Sequence, residues 1–197
     1  MKIGILGGTF DPPHVGHLKI ALTVHAALDL DEVLLLPANQ NPLKQRRSSA
    51  SSEHRLAMVQ TMISKHESLS LSDMEITRGG MSYTVDTLGE LSMIRQAEFW
   101  FIMGTDGLAT IGEWKGVPRL AKMCRLAIVL RPPITQENAL TMVPEVFQDK
   151  CDFVQMDPME VSSTEIRDRI ARRKPVTDLV TPEVLRYIQE KRLYTDS

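Results

Sequence analysis

The chain has 197 residues, the size of one ordinary domain and enough to bury a sizeable core, with the hydrophobic and charged fractions of a globular protein. A formal charge of -2 and a pI near 6.2 leave no concentrated basic surface, which argues against nucleic acid as a partner and requires any anionic ligand to be small and held locally. The cysteines, Cys124 and Cys151, form no CxxC pair, so neither a disulfide framework nor a zinc site is expected; the apolar run of MKIGILGG is too short for a signal peptide or membrane span, and a cytoplasmic location follows as the expectation.

Strand-like and helix-like segments alternate from the first residue, which predicts an α/β fold with an open parallel sheet and helices on its faces. Residues 2–6 are the first strand. Residues 16–30 carry Leu18, Ala21, Leu22, Ala26 and Leu30 at helical spacing, and the apolar run 33–36 supplies a second strand. A helix over 52–65 leads to an alternating strand over 69–76, and another helix covers 84–94. The runs 99–103 and 125–130 are apolar throughout, so both are predicted as central strands, the second stopped by Pro132 and Pro133. A helix over 136–147 and a strand over 153–156 follow. Ser163 or Thr164 caps a helix toward Arg173, and Pro182 opens the last one, through Lys191.

Where the first strand hands over to the first helix, the chain reads Gly7-Gly8-Thr9-Phe10-Asp11-Pro12-Pro13-His14-Val15-Gly16-His17. Ligands of open α/β sheets bind outside the carboxyl ends of strands, and the amides of a helix start favour phosphate. Gly7 and Gly8 allow close backbone approach, and Gly16 lets the first turn crowd a ligand. His14 and His17, three residues apart at a helix start, can turn both rings to one polyphosphate and donate hydrogen bonds as charge builds; nearby anions would favour the imidazolium. The segment is neither GxGxxG nor GxxxxGK[ST], which excludes the dinucleotide fingerprint and the P-loop. Near the other end, Ser162, Ser163 and Thr164 supply hydroxyls and helix-start amides beside the planar cationic fork of Arg167, a second arrangement suited to anion capture.

GGTFDPPHVGH resembles the signature of the nucleotidyltransferase superfamily with a T/HxGH motif, especially the bacterial nicotinate-nucleotide adenylyltransferase family, and Val161 to Arg167 resembles that family's ISSTxIR segment. The resemblance implies a Rossmann-like open parallel sheet and a single nucleotidyltransferase domain over 1–197, its carboxy-terminal helical part from about 161 completing the ATP site. It implies adenylyl transfer from ATP to nicotinate mononucleotide, giving nicotinate adenine dinucleotide and pyrophosphate, with His14, His17 and Arg167 as catalytic residues. Nucleotide-binding positions are then Gly7, Gly8, Thr9, Phe10, Gly104, Asp106, Ser162, Ser163 and Thr164. Acceptor-binding positions are Asn39 and Lys44, in a loop resembling PxxxPPHK, Tyr83 and Thr84 in a segment resembling SYT-D-TL, and Trp114, which either stacks on the pyridine ring or fills the core. The loop Gly104-Thr105-Asp106-Gly107 resembles GxDSL, with Gly107 in place of serine; Asp106 would otherwise be a helix cap. Mg²⁺ is expected to accompany ATP, held by phosphates and water, with no protein metal ligand assigned. ATP and the mononucleotide are the expected partners.

Overall fold

The structure, a computed structural model, describes residues 1–42 and 49–195. Among these, six strands, β1 (Lys2–Gly8), β2 (Glu32–Pro37), β3 (Leu69–Leu71), β4 (Glu98–Gly104), β5 (Cys124–Leu130) and β6 (Cys151–Gln155), form one all-parallel sheet in the order β3-β2-β1-β4-β5-β6. The helices are α1 (Val15–Leu28), α2 (Ser52–Ile63), α3 (Met74–Arg78), α4 (Thr84–Ile94), α5 (Thr105–Thr110), α6 (Val117–Leu120), α7 (Gln136–Met142), α8 (Ser163–Ala171) and α9 (Pro182–Lys191). None of them is long and apolar enough to cross a membrane.

Alternation along each strand explains how one sheet serves two layers. Leu6, Val33, Leu35, Ile102 and Val129 point to one face, where Ile20 and Val24 of α1, Met58 and Met62 of α2, Ile166 of α8 and Val184 and Ile188 of α9 cover them. Ile5, Leu34, Phe101 and Ile128 point to the other, under Leu88 of α4, Leu108 of α5, Leu120 of α6 and Ala139 of α7. Both faces are dry, so the strands read as continuous apolar runs. The two runs expected to be central are so: β4 lies between β1 and β5, and β5 between β4 and β6.

Two expected boundaries differ. The strand expected over 69–76 stops at Leu71, and residues 74–78 coil into α3. The apolar phase itself slips between Leu71 and Met74, which breaks the period of two, and the neighbouring strand β2 ends at Pro37. The helix expected over 136–147 ends at Met142, because Val143 precedes Pro144 and is driven to an extended backbone (φ -72, ψ 125); a 3-10 turn over Glu145–Lys150 takes up the rest. The short helices α5 and α6 lie between β4 and β5, each too brief to show a helical period in the sequence.

The strand order reverses at β1. From there the chain builds outward through β2 and β3, returns to β4 on the opposite side, and continues to β6. The carboxyl ends of β1 and β4 therefore open a crevice between diverging loops, the position favoured for ligands in such sheets.

Candidate active site

The crevice is a cleft of about 1110 Å³, large for a single small ligand. Gly7, Gly8, Thr9, Phe10, His14, His17, Tyr83, Thr84, Gly104, Trp114, Ser162, Ser163, Thr164 and Arg167 all line it. Lys44 lies outside the described residues. Asn39 and Asp106 are not on its wall. The Asn39 side-chain amide donates to the Gly80 carbonyl (2.9 Å) and its main-chain N–H to Ser82 Oγ (2.9 Å), so this residue braces the end of β2 against the turn before α4. Asp106 is exposed in the first turn of α5, where a carboxylate favours the helix start.

His14 is the N-cap of α1, and its main-chain N–H donates to Nδ1 of His17 (3.2 Å). That bond fixes the His17 tautomer, because a neutral ring accepting at Nδ1 carries its proton at Nε2. The two imidazoles stack with centroids 3.7 Å apart, and Phe10 packs against His17 from another side (4.8 Å). Burial and the Arg131 charge lower the His14 pKa to about 4, so without an anion the ring is neutral at neutral pH. A polyphosphate in the cleft would oppose the second cause, the Arg131 charge, and the imidazolium expected from sequence is an expectation for such a liganded site. Gly16 has a different use from the one expected: a Cβ there would stand 2.8 Å from Val161 Cγ1 and 3.0 Å from His14 Nδ1. Its bare Cα lets the second motif and the first histidine close on α1. The amide of Val15 at the helix start is already bonded to the Leu179 carbonyl (3.1 Å).

The turn before His14 is the anchor of the second motif. The Asp11 carbonyl accepts from Arg167 Nη1 (2.6 Å), and the Pro12 carbonyl from Ser163 Oγ (2.8 Å). Arg167 Nη2 donates to Thr164 Oγ1 (3.2 Å), while Ser162 caps α8 by accepting from the Glu165 N–H (3.1 Å). Two arms of the guanidinium are thus aimed by protein acceptors, leaving other N–H groups of its fork for an anion. Asp11 is 4% exposed, and its side chain accepts from the amides of Ser49 (2.7 Å) and Ala50 (3.0 Å) and from the Tyr194 hydroxyl (2.8 Å). Arg55, 1% exposed, donates to the Thr9 and Ala38 carbonyls (2.8 and 2.7 Å), tying together the residues that follow β1 and β2.

At the other end of the cleft, Tyr83 is the N-cap of α4 and Thr84 begins it, and both residues line the wall. Trp114 packs edge-on against Phe101 (5.4 Å) at the margin of the core and also lines the cleft, with an indole N–H that has no hydrogen-bond partner among the described residues. Glu75, 7% exposed, accepts from Thr87 Oγ1 (2.6 Å), which in turn accepts from Arg78 (2.9 Å).

Sequence reasoning missed Asp11, Arg55, Glu75, Arg131 and Tyr194. Asp11 sits inside the motif already singled out, and Arg55 is a charge on the apolar stripe of α2, with Met58, Val59 and Met62. Arg131 directly follows β5, a strand carboxyl end. Tyr194 gives no local signal at all.

A cytidylyltransferase-like family model matches residues 5–169. A protein of Oceanobacillus iheyensis named "probable nicotinate-nucleotide adenylyltransferase" is 38% identical over 194 residues, covering 98% of this chain and 96% of the relative. One of Bacillus licheniformis with the same name is 40% identical, with 98% of each covered. The chain belongs to the nicotinate-nucleotide adenylyltransferase family. The fold of this family member is shared by Plasmodium falciparum nicotinic acid mononucleotide adenylyltransferase, solved in complex with NaAD, at a TM-score of 0.81 and 21% identity, covering 100% of this chain and 98% of that one. The complex of the same parasite protein with APC gives 0.79 over the same extents.

The buried His14 makes this site acid-sensitive. An unfolded ring titrates near 6.5 and the folded one at about 4, so between these values the unfolded chain binds the extra proton. The contribution of the neutral ring is intact above pH 6.5 and is lost as pH falls through 4, amounting to about 3 kcal/mol. Urea unfolding at pH 7 and pH 4 should show the parent losing about that much more stability than His14→Asn; equal losses would mean that burial does not hold the ring neutral.

Proposed function

We propose that this protein transfers the adenylyl group of ATP to nicotinate mononucleotide, giving nicotinate adenine dinucleotide and pyrophosphate, a step of NAD biosynthesis. In this reading residues 1–197 act as one nucleotidyltransferase domain, with the part from about 161 completing the ATP site. The observation that carries it is the meeting of two phosphate-suited motifs: Arg167 and Ser163 bond to the carbonyls of Asp11 and Pro12, which lie 156 and 151 positions away in sequence. The names of the full-length relatives support the choice of acceptor.

The chemistry is one displacement. A 5′-phosphate oxygen of the acceptor forms a bond to the α-phosphorus of ATP as the bond from that phosphorus to the β-phosphate oxygen breaks, and pyrophosphate leaves with the electron pair. The acceptor phosphate is already ionised at neutral pH and requires little general-base help. The work left to the protein is alignment and charge stabilisation. His17, its Nδ1 held by the His14 amide, presents Nε2–H to the phosphates. Arg167, aimed by Asp11 and Thr164, supplies the planar fork, and His14 and Arg131 add donors from the cleft wall. Gly7, Gly8, Thr9, Phe10, Gly104, Ser162, Ser163 and Thr164 shape the nucleotide half. In the acceptor half the start of α4 at Tyr83 and Thr84 suits the nicotinate carboxylate, and the face of Trp114 suits the pyridine ring. Asn39 serves as a brace there, and Lys44 as a phosphate contact.

Mg²⁺ fits as a companion of ATP. Among the described residues no group of three or more His, Cys, Asp or Glu side chains is placed to hold a metal ion, and the one carboxylate at the histidine motif, Asp11, is engaged by Ser49, Ala50 and Tyr194. The ion would be held by phosphates and water, neutralising charge on the polyphosphate. A cytoplasmic location belongs to the same reading, as the compartment where these small substrates meet.

Pyrophosphate release with ATP and Mg²⁺, measured in parallel with nicotinate mononucleotide, nicotinamide mononucleotide and phosphopantetheine, tests the assignment. Strong preference for the first supports it, whereas turnover with phosphopantetheine alone would keep the chemistry and replace the acceptor. His17→Ala should lower kcat about 100-fold or more while KM for ATP changes little, as for loss of a donor used in the transition state. Unchanged kcat would remove His17 from the reaction. Trp114→Ala should raise the KM for the mononucleotide about tenfold and leave that for ATP near the parent value; an unaltered acceptor KM would assign Trp114 to the core alone.

A further inference from the structure

The carboxy-terminal turn reaches back into this site. After α9 the backbone enters the left-handed region twice, at Arg192 (φ 51) and Tyr194 (φ 64). Residues other than glycine stay there when their surroundings over-determine the conformation. Here the Leu193 N–H bonds to the Ile188 carbonyl (3.0 Å), and the Tyr194 hydroxyl donates to Oδ1 of Asp11 (2.8 Å) across 183 positions of sequence. Burial, together with the Asp11 carboxylate, pushes the phenol well above its usual range, so it remains a donor at any assay pH.

Asp11 is engaged on both carboxylate oxygens. Oδ2 accepts from the Ser49 N–H, and Oδ1 accepts from the Ala50 N–H and the Tyr194 hydroxyl. Arg167 Nη1 stands 3.9 Å from Oδ2 but 2.6 Å from the main-chain carbonyl of the same residue. Two acceptors on Asp11 thus compete for one arm of Arg167, and the carbonyl holds it. Removing the tyrosine donor would leave Oδ1 with the Ala50 amide alone inside a buried setting, where an under-satisfied carboxylate is costly. Arg167 Nη1 already lies within ion-pair distance of the carboxylate (3.9 Å to Oδ2), and a guanidinium drawn onto it turns its fork away from the cleft.

We propose that Tyr194 is a positioning residue for adenylyl transfer: by occupying the Asp11 carboxylate it keeps Arg167 on the Asp11 carbonyl, aimed at the polyphosphate. This rests on the reaction assigned above. The tail of the chain is then part of the active-site frame without touching substrate.

Tyr194→Phe removes the hydroxyl and keeps the ring. It is compared with the parent, Arg167→Ala and the double variant in the full chain, with turnover expressed per folded chain from circular dichroism at low temperature. The parent must release pyrophosphate with nicotinate mononucleotide; an inactive parent contradicts the reaction itself. With an active parent, Tyr194→Phe should lower kcat about tenfold while the acceptor KM stays near the parent value, and in the Arg167→Ala background the hydroxyl should matter less than threefold. A fall of less than threefold in the single variant overturns the proposal. So does a loss that persists undiminished without Arg167, since the hydroxyl would then act on the fold and not through the guanidinium.

Discussion

A single buried carboxylate organises this site. The turn between β1 and α1 has to present its carbonyls to one partner and its histidines to another; Pro12 and Pro13 restrict its backbone locally, and Phe10 sits at φ 51. Asp11 supplies the constraint. Its side chain gathers the amides of Ser49 and Ala50 and the hydroxyl of Tyr194, and its carbonyl receives Arg167. A buried carboxylate demands donors, and here they come from two remote parts of the chain, residues 49–50 and Tyr194, while Arg167 takes the carbonyl of the same residue. Satisfying one charge therefore also assembles the cleft.

The electrostatics follow from the same frame. The chain as a whole is slightly acidic, yet Arg131 and Arg167 line the cleft and Arg55 lies behind it, with Asp11 as the close counter-charge at that end. Burial and the Arg131 charge keep His14 neutral, which limits the repulsion among these cations. In the proposed reaction a polyphosphate would draw on donors that are already aimed, leaving little reorganisation for the moment of reaction. Gly16 contributes by being absent in volume, allowing Val161 and the His14 ring to approach α1.

Much of this was legible in the sequence. Strands buried on both faces announce themselves as apolar runs, the helical period placed α1 and α2 because each is long enough to repeat it, and Pro182 marked the start of α9. Helices of four to six residues, such as α3, α5 and α6, leave no such trace. In the site, the histidines and the α8 start were visible because local chemistry marked them. For Asn39 the sequence left the partner open, because an amide after a strand suits a ligand as well as it suits the Gly80 carbonyl, to which its side chain donates in the folded turn. Tyr194 was invisible for a deeper reason: its role lies in one bond to a residue 183 positions away, and no pattern within the tail encodes it.

The central claim is that the cleft aligns two bound phosphates for one direct displacement at the α-phosphorus, with no enzyme nucleophile between them. The stereochemical course of the reaction, followed with ATP carrying a chiral thiophosphate at the α position, tests it most directly. Direct in-line transfer inverts configuration at that phosphorus, and inversion in the dinucleotide product is the predicted result. Retention would require two successive displacements through a covalent adenylyl-enzyme, most simply on one of the cleft histidines, and would contradict the account.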